Sequence, residues 1–217
     1  VESRSASEAA DLSLDVVDLT RAYLNFGNNR DLVFRDSSPH RPLNEILLGP
    51  IQGLFNGSDE QQDLYFYEPD YSSKYLFNKG EKRFTSLSRF FEATRDSVIR
   101  GNLQDILEHS LIRYVRALDS PNLQNAFLRL WGLLETLTNT DSSKALIARV
   151  AAIYVAEDQR AVQEELRAFQ KLRNGHVHQG KEMMHAEPLL MRLKQHVENI
   201  LEVVMASGYP FKNMEEF

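Results

Sequence analysis

The sequence predicts a mainly α protein, with an up-and-down helical bundle over residues 83–217 and a smaller, irregular α/β part over residues 1–82 packed on it. Three observations carry this. After Lys82, apolar residues recur at helical spacing in six successive segments. The loops between those segments are short, which makes neighbours antiparallel. By contrast, the window from Gly27 to Gly80 holds five of the ten glycines and four of the seven prolines, a punctuation that rules out long helices there.

Taken in order, Ser7 followed by Glu8 starts a helix with Leu12, Val16, Leu19 and Tyr23 on one face, ending near Gly27. In the punctuated window, Asp31–Phe34 and Asp63–Tyr67 read as short strands, and Asn44–Leu48 as a turn or two of helix. The aromatic cluster Tyr65, Phe66, Tyr67, Tyr71, Tyr75 and Phe77 reads either as buried packing area or as a base-stacking surface.

Six helices follow. Ser86 caps one carrying Leu87, Phe90, Phe91 and Val98, stopping near Gly101. Asn102 caps the next, with Leu103, Ile106, Leu107, Tyr114 and Val115 inward and Asp105 in its first turn. Ser120 and Pro121 open a third bearing Leu123, Phe127, Leu130, Trp131, Leu134 and Leu137. Ser142 or Ser143 opens a fourth through Leu146, Ile147, Val150, Ile153 and Tyr154, and a fifth runs from about Asp158 with Val162, Leu166, Phe169 and Leu172. Pro188 opens the last, through Leu189, Leu193, Val197, Ile200, Leu201 and Val204 to Gly208.

The totals bound the function. At 217 residues, 42% hydrophobic and 26% charged, the chain has the composition of a globular domain. No apolar run is long enough for a membrane helix. The absence of cysteine excludes disulfides and thiolate metal sites and favours a cytoplasmic location. Val1–Ser7 has neither the charged nor the apolar region of a signal peptide and reads as a cut inside a longer protein or as a processed end, leaving room for a fused or partner sensor domain or an antitoxin. A net charge of −6 argues against a surface coated in phosphate-binding groups. Between Arg160 and Lys181, however, Arg160, Arg167, Lys171, Arg173 and Lys181 face only Glu164 and Glu165, a local basic excess.

That excess surrounds Lys171-Leu172-Arg173-Asn174-Gly175-His176-Val177-His178-Gln179-Gly180, the stretch densest in groups that handle phosphate. The run Leu-Arg-Asn-x-x-Val-His-x-Gly resembles the R-x4-H motif of the HEPN superfamily, in its Apea-like branch. Phe127–Thr138, with Leu130-Trp131 and Glu135, is similar to the helix that precedes the motif there. The resemblance covers roughly the last three fifths of the chain. It implies a HEPN-type bundle and a homodimer whose motifs meet at a two-fold axis. It further implies a metal-independent endoribonuclease leaving 2',3'-cyclic phosphate and 5'-hydroxyl ends, in toxin, stress or antiviral defence systems.

The residue types suit that chemistry. Arg173 presents a permanently charged planar fork to a scissile phosphate. An imidazole near neutrality, His178, takes a proton from a ribose 2'-hydroxyl or gives one to the departing 5'-oxygen. Asn174 can hydrogen-bond either group, and Arg167, Lys171 and Lys181 are candidates for holding the RNA backbone. On an ideal helix Arg173 and His178 lie about 140° apart, so the helix ends or distorts near Gly175, or the site is assembled from two protomers. His176 is either a helper or a partly exposed polar residue, and Glu135 either pairs with Arg173 or faces solvent. His185 and His196 read as surface residues, and Asn139 and Asp141 as capping or turn residues. His176, His178 and His185 match no standard zinc spacing, and no cofactor motif is present, so neither a metal nor a cofactor is expected. From a different functional class, a non-catalytic HEPN module for dimerisation or for binding nucleic acid or a partner fits the same residues, and so does a helix-end motif with no chemical task.

Overall fold

A computed structural model of the chain describes residues 4–29, 42–49, 51–55, 61–66, 80–100 and 103–206. Helix α1 (Ala6–Asn29) is followed by strands β1 (Ile51–Phe55) and β2 (Gln61–Phe66) and by α2 (Gly80–Arg100), α3 (Gln104–Leu118), α4 (Leu123–Leu137), α5 (Ser143–Ala152), α6 (Ala156–Gln179) and α7 (Ala186–Ala206). The protein is a helical bundle. The strands pair antiparallel, Ile51 opposite Phe66, with an irregularity between Leu54 and Phe55. The expected strand at Asp63–Tyr67 therefore falls largely in β2, whereas Asp31–Phe34 and Tyr67, Tyr71, Tyr75 and Phe77 lie outside the described residues.

Among the described residues, α1 packs on α2 and α3, α4 on α3 and α7, and α5 on α6. The core centres on Trp131, Tyr114, Phe26, Phe127, Leu130 and Leu134, all at most 2% exposed. Phe127 stacks edge-on against Phe169, which ties α4 to α6.

Several helix ends differ from expectation. Alpha2 begins at Gly80 rather than near Ser86. Alpha4 is capped by Asn122, whose side chain accepts from the backbone N–H groups of Gln124 and Asn125, so Ser120 and Pro121 precede the cap. Ser142 caps α5 as expected. Asn139 sits at φ 44° just past α4, a turn conformation that asparagine tolerates. Gly27 does not end α1, which runs on to Asn29. A Cβ there would come within 2.5 Å of the Phe90 ring, so the glycine serves the close approach of α1 and α2.

The larger departure is the buried face of α1. Leu12 and Val16 are 43% and 62% exposed, whereas Asp18, Arg21, Asn25, Asn28 and Asn29 are buried beside Tyr23 and Phe26. Arg21 donates to Asp18 at 2.5 Å and to Asp119 of α3 at 2.8 Å. Burial is the strongest influence on this guanidinium and opposes its charge, yet the bonds and charges of Asp119 and Asp18 outweigh it and raise its pKa.

Residues 44–48 form no helical turn. They run as an irregular strap that closes polar groups of α1 and α3. The Leu43 N–H donates to the Leu118 carbonyl at 3.0 Å, and Asn44 Nδ2 donates to the Val115 carbonyl and to Asp119, both at 2.7 Å. These groups add donors at the carbonyl end of α3, where the Val115 carbonyl also accepts from the Asp119 N–H at 3.0 Å. Asn25 exchanges hydrogen bonds with both the N–H and the carbonyl of Ile46. Farther along, Asn29 donates to Asn44 at 2.8 Å, and Lys194 of α7 donates to the Asn29 carbonyl at 2.8 Å and to Glu198, which also accepts from the Tyr114 hydroxyl. Burial pushes the Glu198 carboxyl up against the opposing pull of Lys194.

Candidate functional site

Helix α6 carries the motif. Glu157 and Asp158 in its first turn complement the helix dipole, and Val162, Leu166 and Phe169 bury one stripe against the bundle. The helix does not stop at Leu172 or break at Gly175. It continues through every motif residue to Gln179 and ends at Gly180, which adopts the left-handed conformation at φ 63°. There the Gly180 N–H donates to the His176 carbonyl at 3.0 Å and the Lys181 N–H to the Gly175 carbonyl at 3.3 Å, a glycine-dependent helix stop.

A continuous helix sorts the candidate residues onto two faces. Arg173 follows Leu166 by seven residues, about 20° around the axis, and His176 lies about 60° from Arg173. Arg173, Asn174 and His176 are half-buried, at the edge of the packed stripe. His178 is about 140° from Arg173 but within about 20° of both Lys171 and Arg167, and all three are exposed. Arg167 is ion-paired to Glu164 at 2.7 Å. Within one chain, the structure groups Arg173 with Asn174 and His176, and His178 with Lys171 and Arg167.

On the first face, Arg173 Nη1 donates to Asn174 Oδ1 at 3.2 Å, which uses one arm of the fork and leaves others for a ligand. His176 Nδ1 lies 2.8 Å from the Lys181 carbonyl oxygen. A carbonyl only accepts, so Nδ1 carries the proton and the neutral ring keeps Nε2 as its lone-pair nitrogen. The exposed Lys181 follows the helix stop, and its backbone fixes this ring while its N–H closes the helix. Glu135 accepts from the Trp131 indole N–H at 3.0 Å; no ion pair joins it to Arg173 among the described residues.

His196 is not a surface residue. It is 1% exposed, and Nε2 donates to Glu165 of α6 at 3.0 Å while Nδ1 accepts from the Tyr154 hydroxyl at 2.6 Å. Asn199 donates to the same hydroxyl at 2.7 Å, and Arg192 grips Glu165 with Nε and Nη2, both at 2.8 Å. Burial lowers the pKa of His196 against the contrary influence of Glu165, which keeps the ring neutral. Burial opposes ionisation of Glu165, but Arg192 and His196 prevail and hold it below its ordinary value. The result is a closed relay that staples α6 to α7. Its signal was present in the sequence, since His196 occupies an apolar position between Leu193 and Ile200. His185 is exposed as expected, with φ 56°.

No group of three or more His, Asp or Glu side chains close enough to share a metal ion occurs among the described residues, and no helix there is long and apolar enough to cross a membrane. Comparison with protein-family models, with curated proteins and with solved structures returns no match.

Proposed function

We propose that the chain is a metal-independent endoribonuclease of the HEPN type, acting as a homodimer with a composite site and serving as a toxin or defence effector. The observation that carries this reading is the unbroken helix through the motif. Arg173 and His178 diverge by about 140°, so the pair can close on one phosphate only when a second copy brings its own motif alongside. Two apolar side chains beside the motif, Val177 at 49% and Met184 at 77% exposed, supply surface for such a contact.

In that cleft Arg173 binds the scissile phosphate and stabilises the charge of its transition state. Asn174, already bonded to Arg173, keeps the fork in register. One His178 removes the 2'-hydroxyl proton and the other protonates the leaving 5'-oxygen, giving a 2',3'-cyclic phosphate and a 5'-hydroxyl end. His176, with Nε2 unprotonated when neutral, supports the base. Arg167, Lys171 and Lys181 hold neighbouring phosphates. DNA lacks the nucleophile and is not cut.

The test is incubation of purified protein with total RNA plus chelator, with end-group analysis of the fragments. Arg173→Ala or His178→Ala abolishes cleavage in a folded protein; full activity in His178→Ala refutes the assignment. The divergence of Arg173 and His178 within one chain also favours a second reading, a non-catalytic HEPN module for dimerisation or for binding nucleic acid or a partner. It predicts no turnover, with Arg173→Glu weakening binding.

A further inference from the structure

A second basic feature lies outside the motif. A cleft of about 550 Å³ is lined by Arg113, Arg116 and Ala117 of α3 and by Leu128, Arg129 and Gly132 of α4, with no carboxylate among them. Its volume is that of a small-molecule site. Arg116 has carboxylate partners, with Nε on Asp18 and Nη2 on Asp15, both at 2.7 Å. The other two arginines do not. Arg113 donates to the Thr136 hydroxyl and to the Gly132 carbonyl at 3.4 Å, and Arg129 donates to the Arg116 carbonyl at 3.2 Å. Neither has an ion pair among the described residues. Their guanidiniums are thus tethered by uncharged oxygens, which leaves their charge uncompensated and some of their N–H donors without a partner.

Asp15 and Asp18 balance Arg116, so the charge that a bound anion would offset is that of Arg113 and Arg129. Both side chains are exposed, so an anion in solution can reach them. Planar forks match the oxygens of a phosphate, and a monoester or pyrophosphate can take bonds from two of them together. Half-buried Leu128 adds an apolar lining suited to the face of a sugar or base, as a guanidinium plane also is.

We infer that the cleft between α3 and α4 binds the phosphate of a nucleotide through Arg113 and Arg129, the nucleotide being free or the 5'-phosphorylated end of an RNA chain. No residue of α6 lines the cleft, and none of its residues takes part in the proposed cleavage.

Calorimetry of the whole chain at low salt provides the test, with inorganic pyrophosphate, ADP, adenosine and a short oligoribonucleotide with either a 5'-phosphate or a 5'-hydroxyl as probes. ADP and pyrophosphate are expected to bind and compete, and adenosine to compete with neither. Arg113→Gln with Arg129→Gln weakens both by at least about tenfold, and Arg113→Lys with Arg129→Lys, which keeps charge but loses the fork, falls between. Preference for the 5'-phosphorylated oligonucleotide over its 5'-hydroxyl form identifies an RNA end, and binding of ADP alone identifies a free nucleotide. Absence of ADP and pyrophosphate binding at millimolar concentration overturns the inference, as does wild-type affinity in the double glutamine variant. Should that variant misfold, Arg129→Gln alone, which releases a single tether, decides by the same criterion. Arg173→Ala protein retains ADP binding and the double glutamine variant retains any RNA cleavage, so the two sites fail separately.

Discussion

Replacing Arg21 with methionine tests the buried network directly. The substitution keeps the aliphatic stem and removes the guanidinium from between Asp18 and Asp119, whose side chains are 5% and 7% exposed. Breaking a buried ion pair by deleting one partner costs about 3–5 kcal/mol, because a charge stays behind without compensation. Here each orphan keeps one donor, Asp18 from Arg116 and Asp119 from Asn44, both at 2.7 Å, and the Ile46 carbonyl keeps Asn25 at 2.9 Å. The loss therefore belongs at the low end, about 3 kcal/mol. For a domain of this size that is a drop in Tm of roughly 6–12 °C. Urea unfolding at pH 7, followed by far-UV circular dichroism, should show a lower midpoint at unchanged m. The double variant Arg21→Met with Asp119→Asn should recover part of the loss, since one uncompensated carboxylate is gone. An Arg21→Met protein within about 0.5 kcal/mol of wild type would refute the argument that these charges depend on each other.

Three further outcomes are expected. Gly180→Ala strains the left-handed helix stop and should cost about 1 kcal/mol in chemical denaturation, while Gly180→Asn costs less; equal losses would mean that the backbone angle is not the cause. Because His196 has a pKa lowered from 6.5 on folding, the unfolded chain takes up its proton first as pH falls below that value, so stability declines on acidification from about pH 6.5 and is complete above it. His196→Gln should flatten that part of the stability profile, and an unchanged slope would argue against a buried neutral ring. Excess His178→Ala protein mixed with wild type should depress RNA cleavage below simple dilution, as a site shared between two copies requires; activity that follows dilution, with exchange of subunits shown by light scattering, speaks for independent sites.

The sequence made the bundle legible wherever burial and apolar periodicity coincide. Leu130, Trp131, Leu134 and Leu137 on α4, and Val162, Leu166 and Phe169 on α6, face the core as their spacing predicts. It misled on part of α1, where Tyr23 is buried and Leu19 packs on the core as expected, but Leu12 and Val16 are exposed and Asp18, Arg21, Asn25 and Asn29 share the inner face. Polar side chains satisfied by partners distant in sequence look the same as solvent-facing ones until those partners are known. His196 was misread for that reason, since Tyr154 and Glu165 lie 42 and 31 residues away from it. The motif was legible as chemistry, with its positions and residue types in plain view. Its setting was not: an end or distortion at Gly175 was one of two ways to bring Arg173 and His178 together, yet the chain turns only at Gly180, where two backbone bonds accompany the left-handed angle.

The clasp between α1 and α3 also constrains how the chain is made. Arg21 leaves the ribosome 98 residues before Asp119, which joins Asp18 of the same helix as its second counter-ion. Until Arg116 and Asp119 are synthesised, the Arg21–Asp18 pair lacks the partners that make its dehydration tolerable, so the inner side of the first helix stays wet and resists premature collapse onto the segments that follow. Closing so long a loop is slow, and docking of the first helix belongs among the late events of folding.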